Sequence, residues 1–493
     1  MPGSKRLLGF DLGAESGRGV LGIFDGQRLQ LEVVHRFPNG PVRTLDSIHW
    51  DVLRLYSEML GGLSRCAQDH GGIDSVGVDT WGVDFALIGR GGTLLGNPRH
   101  YRDPHTETIM DAAFERVSRQ EIFRQTGLQF MRFNTLFQLL ALQRDRSPLL
   151  DVAEHLLMMP DLFHFLFTGV KANEFTNAST TQMYDPTEKR WAYSLLESFG
   201  LPAKILGSVV GPGTVLGPIR RAIAAETGIS PVPVIAPASH DTGSAVAAVP
   251  AKSASWAYIS SGTWSLMGVE TDAPLINEKT RRFNFTNEGG IGETIRLLKN
   301  IMGLWLVQEC RRAWERSGKT FTYEELARLA EASPAFVSLV DPDDTSFLLP
   351  TNMPAAIGEF CRRTGQPVPA EPGAIVRCAL ESLALRYRWV LDRLEELLGR
   401  KVEVIHIVGG GSQNKLLCQF TADACHRPVL AGPVEATAIG NVLLQAKGLG
   451  LISSPAEARE VVRRSFELQT YDPKNPEAWH EPYQRFLQYL PAL

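Results

Sequence analysis

The sequence predicts an α/β protein built from related domains. The chain has 493 residues, more than one compact core usually holds, so we expect it to divide. Strand–turn–strand patterns with small residues at the turn begin at residues 7 and 257, one for each half of the chain. Apolar runs alternate with stretches of helical periodicity. Two large α/β domains, or three smaller ones, fit these observations.

In the first half, three strands are predicted between residues 7 and 37. Apolar residues at helical spacing predict a helix over 53–67, with Asp51 as its cap. Another strand begins at Val76 and runs into the segment ending at Asp84. Residues 106–200 are expected to be mainly helix and loop.

The second half repeats the opening of the first. A short strand over 232–235 precedes it, and then residues 257–260 and 264–269 are predicted as strands around a tight turn. A long amphipathic helix should follow Pro372-Gly373 and end at Gly399. A strand over 402–408, a triple glycine and a helix from about 413 to 424 come next. We expect an N-terminal domain over 1–246 and a C-terminal domain over 247–493.

Composition and charge favour a soluble protein. The chain is 44% hydrophobic and 21% charged, as in ordinary globular proteins. Its net charge of −4 gives no electrostatic argument for nucleic acid or membrane as a partner. The apolar run 7–10 is interrupted by Asp11, unlike a signal peptide. Residues 155–167 are too short for a membrane span and suit a buried helix. We expect a cytoplasmic protein, with its oligomeric state open.

The six cysteines do not indicate a metal or redox site. None forms a Cys-x-x-Cys pair, which argues against a zinc knuckle or a thioredoxin-type site. Cys361 and Cys378 could pair in an oxidised sample, but reduced thiols are the expectation for a cytosolic protein.

Two turns could hold phosphate groups. In the segment 11–18 a strand delivers Asp11 to a turn of small residues that ends at Arg18. Exposed amides in such a turn can bind phosphate oxygens, a carboxylate can hold magnesium, and an arginine can meet phosphate with two hydrogen bonds. The segment 260–265 offers amides and hydroxyls in the same way. Each segment could equally be a simple hairpin turn.

The triple glycine at 409–411 lies between a predicted strand and helix. It matches neither the dinucleotide-binding pattern nor the P-loop pattern. An ordinary turn needs only one glycine, so three in a row favour close approach of a ligand to the backbone.

Asp241 is a candidate general base. It follows a predicted strand and precedes small residues that begin a helix. Phosphoryl transfer to an alcohol needs a carboxylate that accepts the hydroxyl proton. The alternative is an aspartate that caps the helix.

The segment 79–84 suits a sugar. It combines Trp81, whose ring could stack on a sugar face, with the carboxylates of Asp79 and Asp84, which could accept bonds from hydroxyls. The alternatives are core packing for the tryptophan and a turn role for Asp79.

Together these motifs resemble the FGGY carbohydrate kinases of the actin–hexokinase superfamily, and within that family the rhamnulokinases. The resemblance extends from about residue 7 to about 470. The matching stretches lie at 11–18, 48–51, 78–85, 101–103, 133–136, 157–161, 239–242, 260–268, 299–306, 406–411 and 431–436. The resemblance implies two ribonuclease-H-like domains with a ligand cleft between them, and ATP-dependent phosphorylation of L-rhamnulose to L-rhamnulose 1-phosphate.

The same resemblance implies roles for individual residues. Asp241 would be the general base, and Asp11 would face magnesium. The residues expected to contact the sugar are Gly82, His240, Asp241, Thr242 and Asn300. The residues expected to contact the nucleotide are Ala14, Glu15, Ser16, Gly17, Arg18, Thr263, Gln308 and Gly410. Glu15 departs from the family pattern, which has a small hydroxyl residue there, and its carboxylate should repel phosphate unless it points away or meets the metal.

Other functions remain open at this point. The acceptor could be L-fuculose or another ketose, because the configuration of one hydroxyl cannot be deduced from these motifs. The chain could also be a non-catalytic, nucleotide-dependent binding protein of the same superfamily. A metal hydrolase is disfavoured because no histidine and aspartate cluster has the spacing of metal ligands.

Overall fold

The computed structural model describes residues 3–491. The chain forms two compact units, and both are discontinuous in sequence. Unit 1 comprises residues 1–250, 270–297 and 436–466, and unit 2 comprises residues 251–269, 298–435 and 467–493. A single cut at residue 246 therefore does not reproduce the compact units, and the two-domain division stays a prediction.

The strands are interspersed along the chain with helices, as an α/β protein requires. They are β1 (Lys5–Leu12), β2 (Ser16–Phe24), β3 (Leu29–Pro38), β4 (Pro41–Thr44), β5 (Ser47–Trp50), β6 (Ser75–Thr80), β7 (Phe85–Ile88), β8 (His155–Met158), β9 (Asn173–Glu174), β10 (Tyr184–Asp185), β11 (Arg190–Trp191), β12 (Val209–Val210), β13 (Thr214–Pro218), β14 (Pro233–Ala236), β15 (Trp256–Ser261), β16 (Trp264–Thr271), β17 (Thr286–Gly289), β18 (Ile295–Met302), β19 (Val404–Val408), β20 (Val429–Ala431) and β21 (Gln469–Tyr471).

The helices range from single turns to seven turns. They are α1 (Val52–His70), α2 (Ile109–Arg116), α3 (Arg119–Thr126), α4 (Thr135–Arg144), α5 (Pro148–Val152), α6 (Met159–Thr168), α7 (Phe175–Ala178), α8 (Tyr193–Ser198), α9 (Arg221–Thr227), α10 (Asp241–Ala247), α11 (Glu278–Arg282), α12 (Trp305–Arg316), α13 (Tyr323–Ala332), α14 (Met353–Arg363), α15 (Pro372–Leu398), α16 (Lys415–Cys425), α17 (Ala436–Gly448), α18 (Pro455–Ser465) and α19 (His480–Leu487). Short 3-10 turns lie at Arg90–Gly92, Pro104–Thr106, Ala203–Ile205, Thr345–Phe347, Gly410–Gln413 and Pro476–Trp479.

The two large sheets share one strand pattern. The first sheet has the order β13-β14-β6-β1-β2-β3, and the second has the order β17-β18-β16-β15-β19-β20-β21. In the first, β1 pairs antiparallel with β2 and parallel with β6. In the second, β15 pairs antiparallel with β16 and parallel with β19. The repeat of a strand–turn–strand opening, predicted from the sequence, is therefore present in the fold.

The buried helices and strands follow the apolar patterns of the sequence closely. The predicted helix cap at Asp51 is confirmed. Asp51 accepts a hydrogen bond from the backbone of Arg54 at the start of α1, because the first amides of a helix have no partner inside it. Helix α15 ends at Gly399, which has a φ of 66°. A glycine tolerates this left-handed conformation without steric cost.

The predicted buried helix over 155–167 is only partly correct. Its first four residues form β8, which pairs antiparallel with β7, and α6 begins at Met159. Pro160 explains the division, since proline is tolerated in the first turn of a helix but not in its interior. Among the described residues, no helix is both long and apolar enough to cross a membrane.

All six cysteines are buried free thiols. Cys361 lies in hydrogen-bond contact with Cys378, which lowers the pKa of the Cys361 thiol.

Candidate active site

The hairpin of β1 and β2 in unit 1 presents a carboxylate paired with an arginine. Asp11 and Arg18 face each other across the two strands. The Nε and Nη2 atoms of Arg18 lie 3.0 and 2.8 Å from Oδ2 of Asp11. The Asp11 side chain is 10% exposed and that of Arg18 is 19% exposed, so both charged groups are only slightly accessible to solvent.

The turn between these strands is fixed by its own backbone and by Asn39. The amide of Gly13 donates to the carbonyl of Ser16 at 3.0 Å. Asn39 donates from Nδ2 to the carbonyl of Gly13 and from its backbone to the carbonyl of Glu15. Glu15 itself is exposed. Ala14 and Ser16 are partly exposed, so the turn that the sequence assigns to phosphate is ordered and accessible.

Asp79 lies beside this hairpin. It occupies β6 at the position that pairs with Asp11 of β1. Its side chain is completely buried, and Oδ2 accepts a 2.5 Å hydrogen bond from Nδ2 of Asn441. Burial, and next the charge of Asp11, raise the pKa of the Asp79 carboxyl well above its usual range. The interpretation of Asp79 as an open acceptor for sugar hydroxyls is therefore wrong.

Asp84 is also unable to receive a sugar hydroxyl. Its Oδ2 accepts hydrogen bonds from the indoles of Trp50 and Trp81 at 2.6 and 3.0 Å and from the backbone of Tyr101 at 3.1 Å. Its Oδ1 accepts from Gln138 at 2.8 Å. The side chain is completely buried, and burial raises its pKa to about 7. Asp84 thus organises the aromatic cluster rather than a ligand.

Trp81 belongs to that cluster, and Gly82 and Val83 are the accessible residues of the segment. Trp81 is 6% exposed and its ring centre lies 3.8 Å from that of Trp50, which favours the core-packing alternative. Gly82 and Val83 are partly exposed. Val83 has a φ of 65°, an unfavourable conformation for a branched side chain. Its amide donates to Oγ1 of Thr180 at 3.0 Å, so the surrounding structure holds this strained backbone.

Asp241 begins α10, in the first helical position. His240 occupies the cap position and makes no side-chain capping bond. The Oδ1 atom of Asp241 accepts from the backbone of Thr242 at 2.6 Å, and one-third of the side chain is exposed. Desolvation by the surrounding protein raises the pKa of Asp241, with a further contribution from the charge of Asp11, and His240 opposes it. The geometry suits an accessible base better than a capping residue.

A buried chain of ionisable groups leads away from Asp241. The Nε2 atom of His240 lies 3.4 Å from Oδ1 of Asp241, and its Nδ1 atom lies 3.3 Å from Oε2 of Glu288. The Nη2 atom of Arg296 lies 3.2 Å from both Nδ1 of His240 and Oε2 of Glu288. Both ring nitrogens of His240 are therefore engaged, which fixes the orientation of the ring. The sequence interpretation missed Glu288 and Arg296, because neither belongs to a recognisable motif.

The equivalent hairpin turn in unit 2 is held by the start of α12. The carbonyl of Thr263 accepts from the backbones of Gly303 and Trp305, at 3.1 and 3.2 Å. A Cβ atom on Gly303 would lie 2.6 Å from Oγ of Ser265 and 2.7 Å from the backbone of Trp264. Only glycine fits this close approach, and it ties the predicted phosphate turn to the helix that follows.

Asn300 and Gln308 flank that attachment along the chain. Asn300 lies on β18 and Gln308 lies on α12, and both are partly exposed. The Oε1 atom of Gln308 is buried without a hydrogen-bond partner among the described residues. A buried acceptor of this kind usually has a partner, so a bound ligand would satisfy it.

The three glycines after β19 have different roles. A Cβ on Gly409 would lie 3.0 Å from the carbonyl of Ser261, and one on Gly411 would lie 2.0 Å from its Oγ. These two glycines therefore allow the turn to pack against β15. A Cβ on Gly410 would meet no atom of residues 3–491 within 4 Å, and Gly410 is exposed. Packing thus explains Gly409 and Gly411, and close approach of a ligand stays a prediction for Gly410.

Comparisons with known proteins agree with these features. The N-terminal domain model of the FGGY family of carbohydrate kinases matches residues 7–248, and the C-terminal domain model matches residues 257–449. The chain is 49% identical over 482 residues to a rhamnulokinase of Bacteroides thetaiotaomicron, covering 98% of this chain and 99% of that protein. It is 44% identical over 486 residues to a rhamnulokinase of Pectobacterium atrosepticum, covering 98% and 96%.

Solved structures show the same fold. The ligand-bound xylulose kinase of Lactobacillus acidophilus superposes with a TM-score of 0.80 at 16% identity, covering 98% of this chain and 97% of that one. The glycerol kinase of Plasmodium falciparum with ADP superposes with a TM-score of 0.75 at 16% identity, covering 99% of each. The predicted α/β fold class is confirmed. With both family models matched across most of its length, the chain belongs to the FGGY family of carbohydrate kinases.

Proposed function

We propose that the protein transfers the γ-phosphoryl group of ATP to the primary hydroxyl of L-rhamnulose, giving ADP and L-rhamnulose 1-phosphate. The observation that carries this proposal is the likeness to rhamnulokinases along nearly the whole chain, at 49% identity for the Bacteroides thetaiotaomicron protein. A likeness along nearly the whole chain includes the segments that carry the residues proposed to contact the sugar, as well as the rest of the fold.

Asp241 is proposed as the general base. It accepts the proton of the sugar hydroxyl while that oxygen bonds to the γ-phosphorus and the bond to the β-phosphate oxygen breaks, so that ADP leaves. Its partial exposure makes the carboxylate reachable. The neighbouring ring of His240 is held by Glu288, and it is proposed to orient the sugar together with Gly82, Thr242 and Asn300.

The nucleotide is proposed to contact residues 14–18, Thr263, Gln308 and Gly410. Asn39 holds the turn at 14–18 from behind. The unpartnered Oε1 of Gln308 and the open space at Gly410 are further supporting features. Glu15 is exposed, so its side chain can turn away from the phosphates.

Magnesium is proposed to be held through Asp11. No group of three or more histidine, cysteine or acidic side chains among residues 3–491 could enclose a metal ion. Mg²⁺ keeps several waters and usually takes only one or two protein carboxylates together with substrate phosphates. Arg18 bonds to Oδ2 of Asp11, and the hairpin presents this carboxylate beside the turn. When bound, the metal would neutralise phosphate charge during transfer.

The protein is proposed to act in the cytoplasm, on small molecules alone. Its slight negative charge gives no attraction to nucleic acid or anionic membranes. Neither the net charge nor the fold determines the oligomeric state.

A panel of ketoses with ATP and Mg²⁺ tests the proposal. Purified protein should release ADP fastest with L-rhamnulose, and the product should be the 1-phosphate. Faster turnover of L-fuculose or another ketose would replace the substrate. No ADP release with any ketose, together with intact nucleotide binding, would favour the non-catalytic alternative.

A further inference from the structure

A buried glutamate lies directly behind the segment that carries Asp241. Glu174 ends β9 and is completely buried. Its Oε2 atom accepts hydrogen bonds from the backbone and Oγ of Ser239, at 2.9 and 2.8 Å, and from Oγ1 of Thr176 at 2.5 Å. Its Oε1 atom accepts from the backbone of Thr176 at 3.0 Å. One carboxylate thus receives four donors, two of them from the residue two positions before Asp241.

These bonds restrain the backbone that delivers Asp241. The amide of Ser239 donates to Glu174, and the amide of His240 donates to Oγ1 of Thr176 at 3.1 Å. The carbonyl of Ser239 accepts from the backbone of Thr80 on β6 at 2.9 Å. Both amides immediately ahead of Asp241 therefore depend on Glu174, one directly and one through Thr176.

A buried carboxylate at this position costs free energy, because its charge is removed from water. An uncharged side chain would fill the same space without that cost. Burial raises the pKa of Glu174, and the bonds from Thr176 and Ser239 oppose that rise. Hydrogen bonds to an ionised acceptor are about twice as strong as neutral ones. A charged group that accepts four donors holds a loop more rigidly than a neutral side chain of the same size.

We propose that Glu174 is a positioning residue for Asp241: its carboxylate fixes the 239–240 backbone and so places the base against the acceptor hydroxyl. The inference rests on the proposed role of Asp241 as the base. A catalytic group displaced by about 1 Å can lose about 10²-fold in rate, so the restraint should appear in turnover.

Glu174→Gln is the direct test. Glutamine has the same shape, but its amide group would face a donor at one of the two oxygen positions, so at least one of the four bonds is lost. With L-rhamnulose and ATP, we expect kcat per nucleotide-binding site to fall about tenfold to a hundredfold. The affinity for ATP and the number of nucleotide sites should change less than twofold, because the Glu174 carboxylate accepts its hydrogen bonds from Thr176 and Ser239, which are not among the residues proposed to contact the nucleotide.

Asp161→Asn provides the matched control. Asp161 is a second buried carboxylate in the same region, and its Oδ1 accepts the backbone amide of Glu174 at 3.1 Å. Asp161→Asn replaces a carboxylate with an amide, as Glu174→Gln does, but Asp161 has no bond to residues 239–241. We therefore expect kcat to stay within twofold of wild type. Thr176→Val and Ser239→Ala remove single hydroxyls from the network, and they carry the test if Glu174→Gln does not fold. We expect each to lower kcat at least threefold.

The outcomes separate positioning from a merely structural role. A structural role predicts fewer nucleotide-binding molecules and a lower melting temperature with an unchanged kcat per site. That result, or a loss in Asp161→Asn as large as in Glu174→Gln, would overturn the inference. Wild-type protein that turns over no ketose would overturn the proposed function and this inference together, whereas normal wild-type turnover with an unaffected Glu174→Gln would overturn the inference alone.

Discussion

Replacing Asp241 with asparagine separates the two roles considered for this residue, general base and helix cap. Asparagine keeps the shape and the Oδ1 acceptor for the backbone of Thr242, but it does not take up a proton. General-base assistance is worth about 10²–10⁴ in rate, or about 3–5 kcal/mol of activation free energy. Turnover of Asp241→Asn should therefore fall by at least about 10².

The effect on stability should be small. A carboxylate in the first turn of a helix contributes about 0.3–1 kcal/mol through the helix dipole. Asp241 is one-third exposed, and asparagine also removes a charge that is disfavoured by desolvation and then by repulsion from Asp11, the two causes that raise the pKa of Asp241. The two changes oppose each other, so the melting temperature should move by less than about 4 °C.

A coupled ADP assay and circular-dichroism melting on one preparation measure both quantities. Asp51→Asn is the matched control, because Asp51 caps the start of α1 and its side chain is 37% exposed. This control should melt and turn over like wild type, since asparagine caps helices about as well as aspartate. If Asp241→Asn keeps turnover within tenfold of wild type, Asp241 is not the base.

Three further predictions follow from the site. Gly410→Val should raise the Kd for ATP at least tenfold without loss of stability, because the new Cβ meets no protein atom within 4 Å; an unchanged Kd in equilibrium binding would remove Gly410 from the nucleotide site. The pKa of Asp241 is raised above its ordinary 3.8 and the base acts when ionised, so kcat/KM should be lost as pH falls through a midpoint above that value; a midpoint below it would contradict the assignment. Gly303→Ala should lower the free energy of unfolding by about 1–3 kcal/mol, because its Cβ would lie 2.6 Å from Oγ of Ser265. Gly410→Ala is the control, and its free energy of unfolding in denaturant should match that of wild type. Equal stability of Gly303→Ala and Gly410→Ala would refute the packing argument.

Much of the fold was predictable because its determinants are local. The small residues at 13–14, 16–17 and 262–263 predict the two hairpin turns, and alternation predicts the strands beside them. Pro372 and Gly399 bound the longest helix, since each has a conformational preference that acts within one turn. The family motifs also identified Asp241 as a candidate base, although the alternative of a helix cap could be weighed only with its backbone position known.

What the sequence alone determines is thus the order of the elements, the turn chemistry and the residues that carry the motifs. The tertiary structure decides which of those residues reach a ligand. From the sequence, Asp79 and Asp84 are suited to a sugar site. In the structure packing buries both side chains, and four donors surround Asp84. Glu174 carries no motif, yet it bonds to Ser239 from 65 positions away. The physical reason is that burial and long-range hydrogen bonds depend on sheet order and helix packing, which local preferences do not specify.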